Sequence, residues 1–246
     1  MLSKTVYKAK DVVIFKHHMN AQLKRDLAEL WQKILRTDPK RLFGKRHTVI
    51  RDYNEDDWIA QPGYVGAQYP IGGLAFVAAN PGGQKRDDIG GEDTEQYRLL
   101  KRLRSAASAR RIKAFDELNR DLARSMKKWR IYERYVAALL EGLPISFSHV
   151  AFLNLVKWRT TGETLPRSLL EISWRTHTRD QLELLQPSLV ISLGKSRAGP
   201  FIDEHYAAIR NITIPRTRGD LGLSDKSKAA IKSAREYLRR WTKPKN

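Results

Sequence analysis

Leu74-Ala75-Phe76-Val77-Ala78-Ala79-Asn80-Pro81-Gly82-Gly83 is the stretch on which the fold turns. Six apolar residues in a row, after Gly72-Gly73, have the length of a buried strand. Pro81 cannot donate to a ladder and the glycines let the chain turn sharply, so the strand stops there. Asn80 is left at the strand tip, where a side-chain amide can hold a water or a ligand. An ordinary Asn-Pro-Gly turn gives the same pattern.

Three more apolar runs follow: residues 150–156, with Asn154 set among apolar neighbours, residues 189–193, closed by Gly194, and residues 209–214. Helical patterns lie around them. Asn20 is placed to cap a helix carrying Leu23, Leu27, Leu30, Trp31 and Ile34, which Asp38-Pro39 ends. Residues 93–141 contain neither Pro nor Gly and read as helical, up to Gly142 and Pro144. Further helices are expected over 167–185, 196–208 and 225–241. Apolar strands alternating with helices predict an α/β three-layer sandwich. Its centre is a mostly parallel four-stranded sheet flanked by helices, and the whole chain, residues 1–246, reads as one domain with a basic helical insertion at about 93–141. Sheets of this kind bind ligands beyond the carboxyl ends of their strands.

Composition narrows the chemistry. The 246 residues include no cysteine, which excludes disulfides, thiolate metal sites and a thiol nucleophile. There is no apolar run of the roughly 18 residues that a membrane helix needs, and Met1 to Lys10 lacks the apolar core of a secretory signal. A cytoplasmic protein is the expectation, associated with the nucleoid if bacterial. The 46 Lys and Arg exceed the 27 Asp and Glu, for a net charge of +19. Such a field attracts polyanions, nucleic acid first and an anionic membrane surface second. Residues 98–134 hold many of the basic groups, among them Arg102, Arg104, Arg110 and Arg111, which are expected to grip a DNA backbone.

The remaining signals lie at the ends of the expected strands. Lys157, Trp158 and Arg159 bring charge and an aromatic face to the rim next to Asn154. Gly194-Lys195-Ser196 looks like half a phosphate loop, but a triphosphate loop requires a glycine about five places earlier, and that place is Leu189. An ATPase is therefore rejected, while backbone amides at this helix start remain suited to a phosphate. Arg216, Thr217 and Arg218 approach the Gly219 turn in a pattern that suits phosphate contact. No two histidines stand at metal-ligand spacing and no Gly-x-Ser-x-Gly elbow occurs, so neither a metal nor acyl transfer is expected. No cofactor and no obligate protein partner are expected either.

In this order the stretches resemble the uracil-DNA glycosylase superfamily, over roughly residues 60–220. Ala78-Ala79-Asn80-Pro81-Gly82 is similar to the first motif of its mismatch-specific and single-strand-selective branches, a strand followed by Gly-x-Asn-Pro-Gly. Phe152-Leu153-Asn154-Leu155-Val156-Lys157 is similar to the strand whose asparagine reads the flipped base. Pro187 to Gly194 matches a third landmark, and Gln61 to Gly66 looks like the loop that leads into such sites. The family's final motif, His-Pro-Ser or Asn-Pro-Ser, is here Ile214-Pro215-Arg216, which puts the usual mechanism in doubt.

The resemblance implies a monofunctional enzyme that takes a uracil or other deaminated base out of single- or double-stranded DNA and hydrolyses its N-glycosidic bond. It implies that Asn80 holds the water, that Asn154 reads the base edge, and that backbone amides near Ala79, Pro81 and Gly82 meet the base. Tyr97 is the candidate stacking aromatic. With Ile214 in place of a polar residue, Arg216 or Arg218 is the expected donor to the departing base. Lys157, Arg159, Lys195, Ser196 and Thr217 join the DNA contacts. Two alternatives remain: a catalytically weak or inactive relative that binds DNA or RNA, and an unrelated basic α/β protein with a coincidental turn.

Overall fold

The computed structural model describes residues 18–50, 59–81, 92–160, 165–216 and 223–243. Gly82, Thr217 and Arg218 lie outside the described residues.

The structure is α/β, with a mostly parallel sheet covered by helices. The strands are β1 (Tyr64–Val65), β2 (Leu74–Ala78), β3 (Val150–Asn154), β4 (Leu189–Leu193) and β5 (Arg210–Ile214), in the spatial order β1-β3-β2-β4-β5. The four expected strands all form and all run parallel. The sheet nevertheless has five strands: β1 pairs antiparallel with β3, Tyr64 opposite Phe152 and Val65 opposite Ala151. The segment Gln61 to Gly66, read as a loop, is therefore an edge strand and its flanks. Gly63 makes this possible. Its φ is 116°, and a Cβ there would lie 2.5 Å from the Phe152 carbonyl oxygen.

Every residue of β2, β3 and β4 is buried, as expected of strands covered on both faces. The first helix, α1 (Ala21–Leu35), starts as predicted. The Asn20 side chain accepts from the N–H groups of Gln22 at 2.8 Å and Leu23 at 3.2 Å. Asp38-Pro39 opens a second helix, α2 (Pro39–Phe43), with Asp38 as its cap and Pro39 in the first turn, where its missing N–H costs nothing.

The expected insertion divides into α3 (Glu92–Ser105), α4 (Ser108–Ser125), a 3-10 turn at Met126–Lys128, a π turn at Tyr132–Ala137 and α5 (Ala138–Leu140). The break between α3 and α4 has no glycine or proline. It is held from a distance: buried Gln32 donates to the carbonyls of Leu103 at 3.0 Å and Ala106 at 2.7 Å. Beyond β3 the chain forms α6 (Arg167–Ser173), a π turn at Trp174–Thr178 and α7 (Arg179–Leu185). Then come α8 (Ala198–His205) and α9 (Asp225–Trp241). No described helix is long and apolar enough to cross a membrane.

Candidate active site

Four parallel strands bring their carboxyl ends to one edge of the sheet. Ala78 stands opposite Asn154 on one side and Leu193 on the other, and Leu193 stands opposite Ile214. The connection from β2 leads toward one edge of the sheet and that from β4 toward the other, so the topological switch lies between β2 and β4. A ligand crevice belongs there.

Two amides mark this edge. The ladder continues past β2 and β3, with Leu155 N–H donating to the Ala78 carbonyl at 2.8 Å and Val156 N–H to Ala79 at 2.9 Å. Asn80, half-buried just beyond, donates its amide nitrogen to Thr160 Oγ1 at 3.0 Å and to the Pro81 carbonyl at 3.3 Å. With its N–H groups used, its Oδ1 makes no hydrogen bond among the described residues. Asn154 is 7% exposed, and its side-chain amide likewise makes no hydrogen bond among the described residues. A nearly buried amide without a partner is costly, which makes it a candidate for recognising something else.

The backbone beneath Asn154 is held tightly. Lys157 Nζ donates to the Asn154 carbonyl at 2.5 Å, and Thr178 Oγ1 donates to the Leu155 carbonyl at 2.9 Å. Lys157 is fully buried, and burial holds its ammonium well below the usual lysine range. It is not a phosphate contact: solvent, and hence a DNA backbone, has no access to it. Trp158 is buried between Phe43 and His177, and Arg159 is only 7% exposed, so neither offers an open face to DNA. His177 is fully buried and neither ring nitrogen has a hydrogen-bond partner among the described residues. Burial, and secondarily the positive charges of Lys157 and Lys33, push its pKa down to about 3, so it is neutral.

The β4 and β5 ends differ in kind. Gly194 takes φ 134°, a conformation that favours glycine, and turns the chain out of β4. Lys195 and Ser196 follow, both exposed, ahead of α8. Ile214 is fully buried, and Arg216 is the last residue described there. Arg216 counts as exposed by its accessible surface. Its guanidinium nonetheless has enough protein around it, Tyr135 included, for desolvation to lower its pKa. None of the described residues in these strand-end loops is a carboxylate. No group of three metal-ligating side chains gathers among the described residues.

Other candidates fall elsewhere. Tyr97 lies on α3, partly buried against the core, on a helix whose Arg98 and Glu95 interact with α4 residues. Among the four insertion arginines, Arg102 pairs with Glu117 at 2.7 Å and Arg111 with Glu29 at 3.3 Å, while Arg110 is exposed and Arg104 half-buried. The Arg102 side chain is about half exposed in its pair and can exchange its partner for another anion, whereas that of Arg111 is only 21% exposed. Sequence reading missed Thr160 and Thr178, whose roles depend on contacts 80 and 23 residues away. The burial of Lys157 did leave a signal: it follows seven consecutive residues that are apolar except for Asn154. Compared with known proteins, the chain matches no family model and no curated protein.

Proposed function

We propose that the protein is a DNA glycosylase that extrudes uracil or another deaminated base and hydrolyses its N-glycosidic bond. One observation carries this reading: Asn80 and Asn154, at the ends of paired strands, each keep an acceptor without a partner among the described residues. The sequence resemblance adds to it.

An asparagine at the water position favours a dissociative reaction, in which the base leaves before strong nucleophilic help is needed. The C1′–N bond breaks, its electron pair leaves with the base, and the sugar becomes oxocarbenium-like. A water held by Asn80 Oδ1 then adds to C1′ and its proton passes to the departed base anion, leaving an abasic sugar and a neutral base. An asparagine is not a base, so its contribution is positioning. Asn154 offers both a donor and an acceptor, which matches the edge of uracil. Cytosine reverses that pattern, so Asn154 discriminates against it when its amide is held in one orientation. The positive rim of Lys195 and Arg216 favours the negative charge that develops on the base.

The buried Ile214 favours a second reading, a nucleic-acid binder with little or no catalysis. The resembled family has a polar residue there to meet the departing base, and a fully buried isoleucine cannot do this.

A base-excision assay separates the two. Labelled single- and double-stranded oligonucleotides with one uracil are incubated with protein and cleaved with alkali at abasic sites. Product that falls by about 10²–10³ in Asn80→Ala and Asn154→Ala, the range for removing one preorganised polar group, is the expected result. No product from uracil, hypoxanthine or xanthine, by folded protein that binds the oligonucleotide, would establish the binder.

A further inference from the structure

The strand-end site does not use the charge on α9. This helix packs on α5, and a cleft of about 370 Å³ along it has an apolar floor of Ala138, Leu223 and Ile231. Its wall carries Lys228, Lys232, Arg235 and Arg239. Spacings of four, three and four residues put these on one stripe of the helix, about 16 Å long at 1.5 Å per residue. Glu236 is the one acid on the lining.

The four cations are not equivalent. Arg235 is anchored by Glu141, at 3.0 Å to its carboxylate and 3.2 Å to its carbonyl. Lys228 meets exposed Asp225 at 3.4 Å. Lys232 and Arg239 are exposed, and their side chains make no ion pair or hydrogen bond among the described residues. The stripe also has a direction. Ser227 Oγ donates to the Pro215 carbonyl at 2.8 Å, which ties the start of α9 to the end of β5, next to Arg216. The start of α9, and with it the Leu223 and Lys228 end of the cleft, thus lies beside the end of β5.

We propose that this stripe is a track for the sugar–phosphate backbone of the nucleic-acid strand whose base is held at the strand ends. Lys228, Lys232 and Arg239 meet successive phosphates, and the apolar floor lies under the sugars. A nucleic acid fits better than an acidic peptide because the cations continue the rim of Lys195 and Arg216. The lining holds no aromatic residue to stack a base, so the track is indifferent to sequence. This inference rests on the nucleic-acid reading of the strand-end site, though not on catalysis there.

The test is the salt dependence of binding, by fluorescence anisotropy, of a labelled single-stranded oligonucleotide with one uracil. Wild type is compared with the triple variant Lys228→Ala, Lys232→Ala, Arg239→Ala, after matching circular dichroism and thermal midpoints. Each lost phosphate contact flattens the plot of log K against log salt by about 0.7 for a single strand, so the slope is expected to fall by about 2. An unchanged slope in the folded variant overturns the track and leaves the glycosylase reading standing. A flatter slope from a protein that excises no base retains the track and overturns the glycosylase. Tighter binding of polyglutamate than of the oligonucleotide, lost in the variant, would instead make the stripe a docking site for acidic protein.

Discussion

The two halves of the strand-end edge are built on opposite principles. At β2 and β3 the loops fold back on the sheet: Lys157 and Trp158 are fully buried, and two amides are what remains at the tips. At β4 and β5 the chain leaves the sheet directly, and Lys195, Ser196 and Arg216 count as exposed. A buried lysine gripping a carbonyl fixes a position; an exposed lysine sets a field. On the proposed function, the first half tells one neutral ring from another and the second attracts phosphate.

Three perturbations test that contrast. The largest effect is expected at Lys157. Lys157→Ala removes a buried hydrogen bond and leaves a cavity, which should cost about 2–4 kcal/mol in urea denaturation. Lys157→Met keeps most of the volume and should cost less than about 1.5 kcal/mol. Equal, small losses in both would show that the lysine is not wedged in place.

The next effect concerns pH. His177 is neutral when folded, with a pKa near 3 against 6.5 for the ordinary group, so between these values the unfolded chain binds the extra proton. Stability from this residue is complete above pH 6.5 and falls as the pH drops, by about 1.4 kcal/mol per unit. His177→Phe should flatten that acid limb, with denaturation midpoints measured from pH 4 to 7 as the readout. A limb of unchanged steepness would assign it to other groups.

The smallest effect on stability is expected at the exposed half. Lys195→Ala should shift stability by no more than about 0.5 kcal/mol while flattening the salt dependence of oligonucleotide binding by about 0.7. A large loss of stability would place Lys195 in the same class as Lys157.

What could be foreseen from sequence follows the same division. The parallel strands were legible because each is a short apolar run bounded by Gly, Pro or Asn, and a strand buried on both faces needs nothing more. The caps of α1 and the span of α9 were legible from local chemistry. Strand β1 was not, because two residues between Gly63 and Gly66 carry no period. The gap between α3 and α4 depends on Gln32, some 70 residues away. Asn80 and Asn154 stood out because polar residues interrupt apolar runs. Lys157 stood out for its charge and was misassigned to the surface, although the apolar run from Val150 to Val156 is the mark of a chain that stays inside.

The π turn at Trp174–Thr178 has a consequence for insertions and deletions. It takes up one residue more than a regular α-helix would over the same rise. Deleting exposed Arg175 should therefore let the turn close to α geometry while α7 stays where it is, with Gln181, Leu182 and Leu185 still on the buried face and Gln181 still donating to the Pro62 carbonyl. A deletion within α7 has no such slack and would rotate the residues after it by about 100°. The turn is thus the one place in this helical stretch where length is free to change by a residue.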